Sequence, residues 1–182
     1  PMVLTARMIK QANPDDRICF IGPCAAKKLE ASRRSVRSDV DFVLTFEELA
    51  GMFEAKEVDF SALEASDDLQ YGTADGRGFA VGGGVAQAVV NYIKDKYPDR
   101  EVKVASAQGL ADCKKMLMLA KAGKYNGYLL EGMGCPGGCI AGAGTLADPA
   151  RTATLLTKYK KDAPIQHSAD SDFKDYGKLL HD

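Results

Sequence analysis

The chain has 182 residues, enough for one ordinary domain with its own core. Lysine and arginine number 24 against 25 acidic residues, and so balanced a charge argues against a nucleic-acid or membrane-surface role driven by electrostatics. No apolar run approaches the roughly 20 residues that span a bilayer, and no basic-then-apolar leader stands at the start, so a cytoplasmic protein with no membrane partner is expected.

Helix and strand patterns alternate along the chain. Leu4 to Ala12 reads as a helix stopped at Asn13-Pro14, because the residue before proline is driven out of the helical region. Arg17-Ile18-Cys19-Phe20-Ile21 is a short apolar run, expected to be a buried strand. Phe42-Val43-Leu44 reads as a second strand. Thr45 follows with Glu48 three residues on, the spacing of a capping box, which predicts a helix to about Glu54. Residues 61–78, rich in Ser, Asp and Gly, read as a surface loop. Gly82-Gly83-Gly84 opens a helix to about Tyr97, ended by Pro98. Val102 to Ala105 reads as a strand, followed by a helix from about Ala111 to Ala122 that Gly123 closes. Tyr128-Leu129-Leu130 is a further strand, and Arg151 to Lys161 and Asp172 to His181 read as helices. This alternation predicts an α/β fold, a largely parallel sheet flanked by helices, in a single domain whose residues 147–182 form a helical tail.

The five cysteines are Cys19, Cys24, Cys113, Cys135 and Cys139. Their odd number argues against a disulfide framework and for thiols kept for metal or redox work. Cys24 lies in Gly22-Pro23-Cys24-Ala25-Ala26-Lys27-Lys28-Leu29-Glu30-Ala31. Cys135 and Cys139 lie in Glu131-Gly132-Met133-Gly134-Cys135-Pro136-Gly137-Gly138-Cys139-Ile140-Ala141-Gly142. Each motif follows a predicted strand, and sites in parallel sheets form at the carboxyl ends of strands. Glycines let the backbone turn tightly and approach a bulky cofactor, inward-pointing amides suit an anionic cluster, and lysines beside a thiolate lower its pKa. Plainer alternatives stand beside this reading. The second motif could be a glycine loop with incidental cysteines. Zinc is a rival, although its ligand sets often include histidine and the only two here, His167 and His181, lie near the tail. Lys27-Lys28 could be a solvated helix start. The glycine triplet lacks the Gly-Lys-Ser/Thr ending of a phosphate loop, so close packing of a helix N-terminus explains it better. Cys19 and Cys113 read as core or surface thiols.

The two cysteine motifs, in this order, resemble the second and third cluster motifs of FeFe-hydrogenases, the iron-only hydrogenase large subunits. Asp39-Val40-Asp41-Phe42-Val43-Leu44-Thr45-Phe46-Glu47-Glu48-Leu49-Ala50 and the Gly83-Gly84-Val85 helix start between them also look right. The resemblance implies the C-terminal part of the H-cluster domain, within the two-lobed iron-hydrogenase fold. It implies that Cys24 and Cys135 bind a 4Fe–4S cubane and that Cys139 binds it and bridges to a two-iron centre. Lys27 would donate a hydrogen bond to a cyanide ligand, with Glu30 in the shell behind it. Met133 would face the two-iron centre, and Phe79 and Val85 would line its pocket.

The resemblance further implies hydrogen metabolism in an anaerobic setting. It implies an electron carrier such as ferredoxin and hydrogenase maturation proteins as partners. The chain opens on Pro1-Met2 and the family's first cysteine motif is absent, so an upstream portion is expected to hold the fourth ligand. The H-cluster would then be absent from this chain alone, which is expected to be inactive. Gly22 replaces the usual methionine, Ala80 stands where glycine is usual, and Ala141 to Leu146 replace the usual ending. These departures resemble the divergent, sensory branch of the family. A hydrogen or redox sensor with slow turnover is therefore one alternative. A hydrogenase-like iron–sulfur assembly protein without the two-iron centre is another, against which Lys27 and Met133 speak.

Overall fold

Two βαβ crossovers carry the cysteine motifs. The computed structural model describes residues 1–33, 39–66 and 72–176. These fall into two compact units: the first takes in Pro1–Ser66 and Gly142–Leu146 with the described residues from Asp172, the second the described part of Asp67–Ala141 with Ala147–Ser171.

In the first unit, α1 (Met2–Ala12) is followed by β1 (Cys19–Ile21), α2 (Ala26–Ser32), β2 (Phe42–Leu44) and α3 (Phe46–Ala55). β1 and β2 pair in parallel with Phe20 opposite Val43. α1 presents Met2, Val3 and Ala6 to Val40, and Ile18, Phe20, Ala31 and Val43 pack onto that cluster. Asp41 sets the start of the ladder. Its carboxylate accepts from the Ile18 amide at 2.8 Å and from Arg17 at 3.0 Å, and Lys10 pairs with it at 3.3 Å. The amide bond first, then the Arg17 guanidinium and Lys10, hold its pKa down at about 2. The capping box expected at Thr45 is present: its hydroxyl accepts from the Glu48 amide and Glu48 accepts from the Thr45 amide.

The second unit contains α4 (Ala74–Gly78), α5 (Gly84–Lys96), β3 (Lys103–Gln108), α6 (Leu110–Lys121), β4 (Tyr128–Met133) and α7 (Pro149–Lys161). β3 and β4 pair in parallel from Lys103 opposite Tyr128 to Gln108 opposite Met133. Proline at the first helical turn and Asp148 capping the Arg151 amide start α7. The α/β class with parallel pairing is as expected, but the sheet is two separate two-stranded ladders among the described residues.

Three expectations need correction. β1 is not buried: Cys19 and Ile21 are exposed, because β2 is its one partner among the described residues. Residues 61–78 are not uniformly a surface loop. Of those described, Phe60–Ala62 form a 3-10 turn and Ala74–Gly78 a short helix in which Ala74, Asp75, Arg77 and Gly78 are buried. Most of their polar groups find partners inside: Asp75 accepts from Asn91 at 2.7 Å and from the Ser168 amide at 2.9 Å, and Arg77 donates to the Gly72 carbonyl at 2.9 Å and the Tyr159 carbonyl at 2.6 Å, while its Nη2 is buried without a hydrogen-bond partner. Finally, the strand expected at Tyr128-Leu129-Leu130 is longer: β4 continues through Met133 and takes in the start of the second cysteine motif. Half of the helix expected at Asp172–His181, residues 177–181, lies outside the described residues, His181 among them.

Candidate metal centre

Cys24 sits in the turn that β1 delivers, and the chain enters α2 at once. Lys27 and Glu30 share a face one turn apart and form an ion pair, Lys27 Nζ donating to Glu30 Oε2, with both side chains about a third exposed or less (27% and 31%). Lys28 points elsewhere. Its ammonium donates to both oxygens of Glu48, at 2.7 and 2.9 Å, tying α2 to the capping box of α3. The Lys28 bond first, and then the Thr45 amide, hold the Glu48 carboxyl below its ordinary pKa.

Gly22 and Gly144 are closely fitted around Cys24. A Cβ at Gly22 would lie 2.9 Å from the Phe20 ring, so Phe20 occupies space that a larger residue at 22 would need. The Gly144 amide donates to the Pro23 carbonyl at 3.1 Å, and its own carbonyl accepts from the Glu47 amide at 3.3 Å.

In the second unit, Cys135 and Cys139 flank a loop in which Gly137 and Gly138 both have φ of +90°, a region L side chains rarely adopt. Gly138 lies flat on the backbone of 80–82; a Cβ there would come 2.6 Å from the Ala80 carbonyl oxygen and 2.7 Å from the Gly82 nitrogen. The Ile140 amide donates to the same Ala80 carbonyl at 3.1 Å. A Cβ at Gly84 would fall on the carbonyl oxygen of Gly78. The glycine triplet thus serves close packing, as expected, and leaves the loop against a surface of bare backbone.

Val85 and Met133 come together: both line an apolar cavity of about 220 Å³ with Val89, Leu130 and Glu131. Phe79 caps the end of α4 and is half-buried, outside that cavity's lining. Glu131 is 8% exposed, and its carboxylate accepts from the Val85 and Ala86 amides at 3.1 and 3.2 Å. It supplies, from 46 residues away, the cap that Gly83 lacks.

Two residues escape sequence reasoning in their roles. Glu131 is legible only as part of the motif, and its work at the start of α5 depends on a distant partner. Gln108, at the end of β3, accepts from the Gly137 amide at 2.6 Å, and its side chain covers Gly82, where a Cβ would lie 2.5 Å from Nε2. A polar residue at a strand's carboxyl end, just before Gly109, is its one signal.

None of the five cysteines is in a disulfide. Thiols at Gly/Pro turns, with bare backbone beside one pair, are a donor set that fits iron–sulfur ligation. Among the described residues, no three His, Cys, Asp or Glu side chains are gathered as a metal ion would need, and Cys24, Cys135 and Cys139 are no exception.

Known proteins point in the same direction. Residues 1–143 match the family described as the iron only hydrogenase large subunit, C-terminal domain. The periplasmic Fe hydrogenase large subunit of Nitratidesulfovibrio vulgaris is 32% identical over 175 residues, covering 75% of this chain and 42% of that protein. The cytosolic Fe-S cluster assembly factor NAR1 of Kluyveromyces lactis is 39% identical over 62 residues, 34% of this chain and 13% of that protein. A variant of FeFe-hydrogenase HydA1 from Chlamydomonas reinhardtii superposes with a TM-score of 0.67 at 16% identity, covering 99% of this chain and 63% of that one, which shows the fold. The chain spans between 27% and 42% of the length of the curated hydrogenases it matches.

Proposed function

Because the chain belongs to the family formed by the C-terminal domains of iron-only hydrogenase large subunits, we propose that it is the cluster-binding segment of a parent protein that interconverts hydrogen with protons and electrons. What supports the reading most is that the matched stretch, residues 1–143, contains Cys24, Cys135 and Cys139 together with Lys27 and Met133. In this reading Cys24, Cys135 and Cys139 would be the ligands of a 4Fe–4S cluster, and Cys139 would also serve the two-iron centre. When bound, that group supplies the hydrogen-splitting and electron-storing chemistry.

The chain's own residues do the rest. Lys27 offers its ammonium as a hydrogen-bond donor to the group's anionic ligands, and Glu30 fixes where that ammonium points. Val85 and Met133 give the pocket an apolar wall that excludes water, with Phe79 as a further apolar face. Glu131 holds the start of α5 and therefore Val85. A ferredoxin-type electron carrier, hydrogenase maturation proteins and a cytoplasmic setting belong to the same proposal.

Infrared bands of bound carbon monoxide and cyanide, recorded on the full-length protein after anaerobic maturation, test it. Their absence after full maturation would sink the reading and favour an assembly-type role like that in the name of the NAR1 relative. For the 182-residue chain by itself, three cluster ligands predict neither a stable cubane nor activity. A stoichiometric cubane after anaerobic reconstitution would overturn that part.

A second reading, a hydrogen or redox sensor with slow turnover, is favoured by one observation. The departures from the usual pattern are built into the packing: Phe20 fills the space beside Gly22, and Gly144 is fitted to Thr45. Hydrogen turnover by the matured protein at rates ordinary for its catalytic relatives would exclude it.

A further inference from the structure

We infer that Gln108 is a positioning residue for the cysteine loop, its side-chain carbonyl fixing the path of the backbone between Cys135 and Cys139. Most of the loop's hydrogen bonds are internal or run to neighbouring backbone. The Gly138 amide donates to the Cys135 carbonyl at 3.0 Å, the Ile140 amide to the Ala80 carbonyl at 3.1 Å and the Ala141 amide to the Gly138 carbonyl at 3.1 Å. The Gly137 amide is different, since its acceptor is a side chain: Gln108 Oε1 at 2.6 Å.

The other end of that bond is anchored. Gln108 stands opposite Met133 in the parallel ladder, and the next amide, that of Gly109, donates to the Met133 carbonyl at 2.8 Å. The Gln108 backbone is therefore tied to the last strand residue before the loop. Its amide group then passes over Gly82, which has no side chain to obstruct it; a Cβ there would lie 2.5 Å from Nε2 and 2.6 Å from Cδ. Gly82, Gln108 and Gly137 form one coupled stack, and Gly138 rests on the same 80–82 backbone.

Two consecutive glycines at positive φ have many other conformations open to them, so this path needs an external constraint. The Gln108 carbonyl provides one by engaging the single amide of the pair that no loop carbonyl engages. It sets where the two thiols stand and withdraws the Gly137 N–H from the donors that could reach sulfur. Its bearing on a bound cluster rests on the function proposed above; the loop conformation itself does not.

The test therefore uses the metal-free chain and two substitutions. Gln108→Met keeps the length and removes the acceptor, whereas Gln108→Glu keeps an acceptor oxygen for Gly137. Maleimide labelling of Cys135 and Cys139, resolved by mass spectrometry, reports how often the loop opens, with exposed Cys19 as internal reference. Labelling of the pair relative to Cys19 should rise about fivefold in Gln108→Met and stay near wild type in Gln108→Glu. Wild-type labelling in Gln108→Met overturns the inference, and so does equal acceleration in both variants, which would mean packing rather than the hydrogen bond. Hydrogen exchange on the unsubstituted chain needs no variant to fold: the Gly137 amide should be protected, and exchange at a free-peptide rate also overturns the inference. Loss of the infrared bands named above would leave each of these results standing.

Discussion

Gly144 is pressed against Thr45 so closely that a Cβ at position 144 would overlap the threonine Cβ and lie 2.6 Å from its Cγ2. Thr45 cannot withdraw, because its hydroxyl caps α3 and its amide is held by Glu48. Gly144 cannot withdraw either, since its amide and carbonyl bond Pro23 and Glu47. The cysteine turn at 24 and the segment that follows Cys139 in sequence thus share one small, rigid fitting in the first unit. Gly144→Ala should lower the stability of that unit by about 1–3 kcal/mol through overpacking. The urea midpoint measures this, and an unchanged midpoint with unchanged slope would contradict it.

The glycines near the cysteine pair should differ in how badly they tolerate alanine, and the order follows from what each Cβ would meet. At Gly84 it would strike the Gly78 carbonyl, backbone that cannot swing away. At Gly138 it would come 2.6–2.7 Å from three backbone atoms of 80–82, at a φ of +90°. At Gly137, with the same φ, the nearest atom is the Ala141 Cβ at 3.2 Å. Gly137→Ala should cost about 1–2 kcal/mol from the backbone conformation alone, and Gly138→Ala and Gly84→Ala more. Thermal unfolding of the three variants checks the ranking.

Asp41 should make stability depend on acid. Its folded pKa of about 2 lies below the ordinary 3.8, so the unfolded chain takes up the proton first as pH falls. The stabilisation is fully present above the unfolded value and is lost as pH drops through the folded one. Asp41→Asn keeps an acceptor for the Ile18 amide and removes the charge. The stability difference between the native chain and Asp41→Asn should therefore be constant near neutrality and shrink between about pH 4 and pH 2. Urea titrations at several pH values measure it; a difference that persists unchanged at pH 2 would refute the assignment.

What is legible in the sequence follows the range of the interactions. Thr45 and Glu48 are three residues apart, so their reciprocal capping can be read from spacing. The start of α5 after the glycines and the strand ends that deliver both cysteine motifs are also local signals, and the structure has them. Residues 74–78 mislead because their Asp, Arg and Gly look like solvent-seeking loop composition. The partners that make burial tolerable for Asp75 and Arg77 come from Asn91, Tyr159 and Ser168, and nothing adjacent in sequence announces them. Gln108 is barely legible for the same reason: its place before Gly109 is a weak signal, and its value lies in Gly82 and Gly137, which no period or motif connects to it.

Glu131 offers the sharpest separation of charge, hydrogen bonding and packing. Its carboxylate stands at the N-terminus of α5, where the amides of Val85 and Ala86 lack helical acceptors and the helix dipole favours a negative group. Glu131→Ala removes both acceptors and enlarges the cavity that Val85 and Met133 share, so it should cost about 2–4 kcal/mol. Glu131→Gln retains an oxygen for the same two amides and surrenders only the charge, so its cost should be about 0.5–1 kcal/mol. Hydrogen exchange locates the effect: protection at Val85 and Ala86 should collapse in Glu131→Ala and survive in Glu131→Gln, while β3 and the middle of α6 keep theirs. Equal losses in both variants would show that the charge and not the acceptor holds the helix start. Loss confined to β4 would show that Glu131 serves the strand instead, and Val85 would then need another explanation for its place beside Met133.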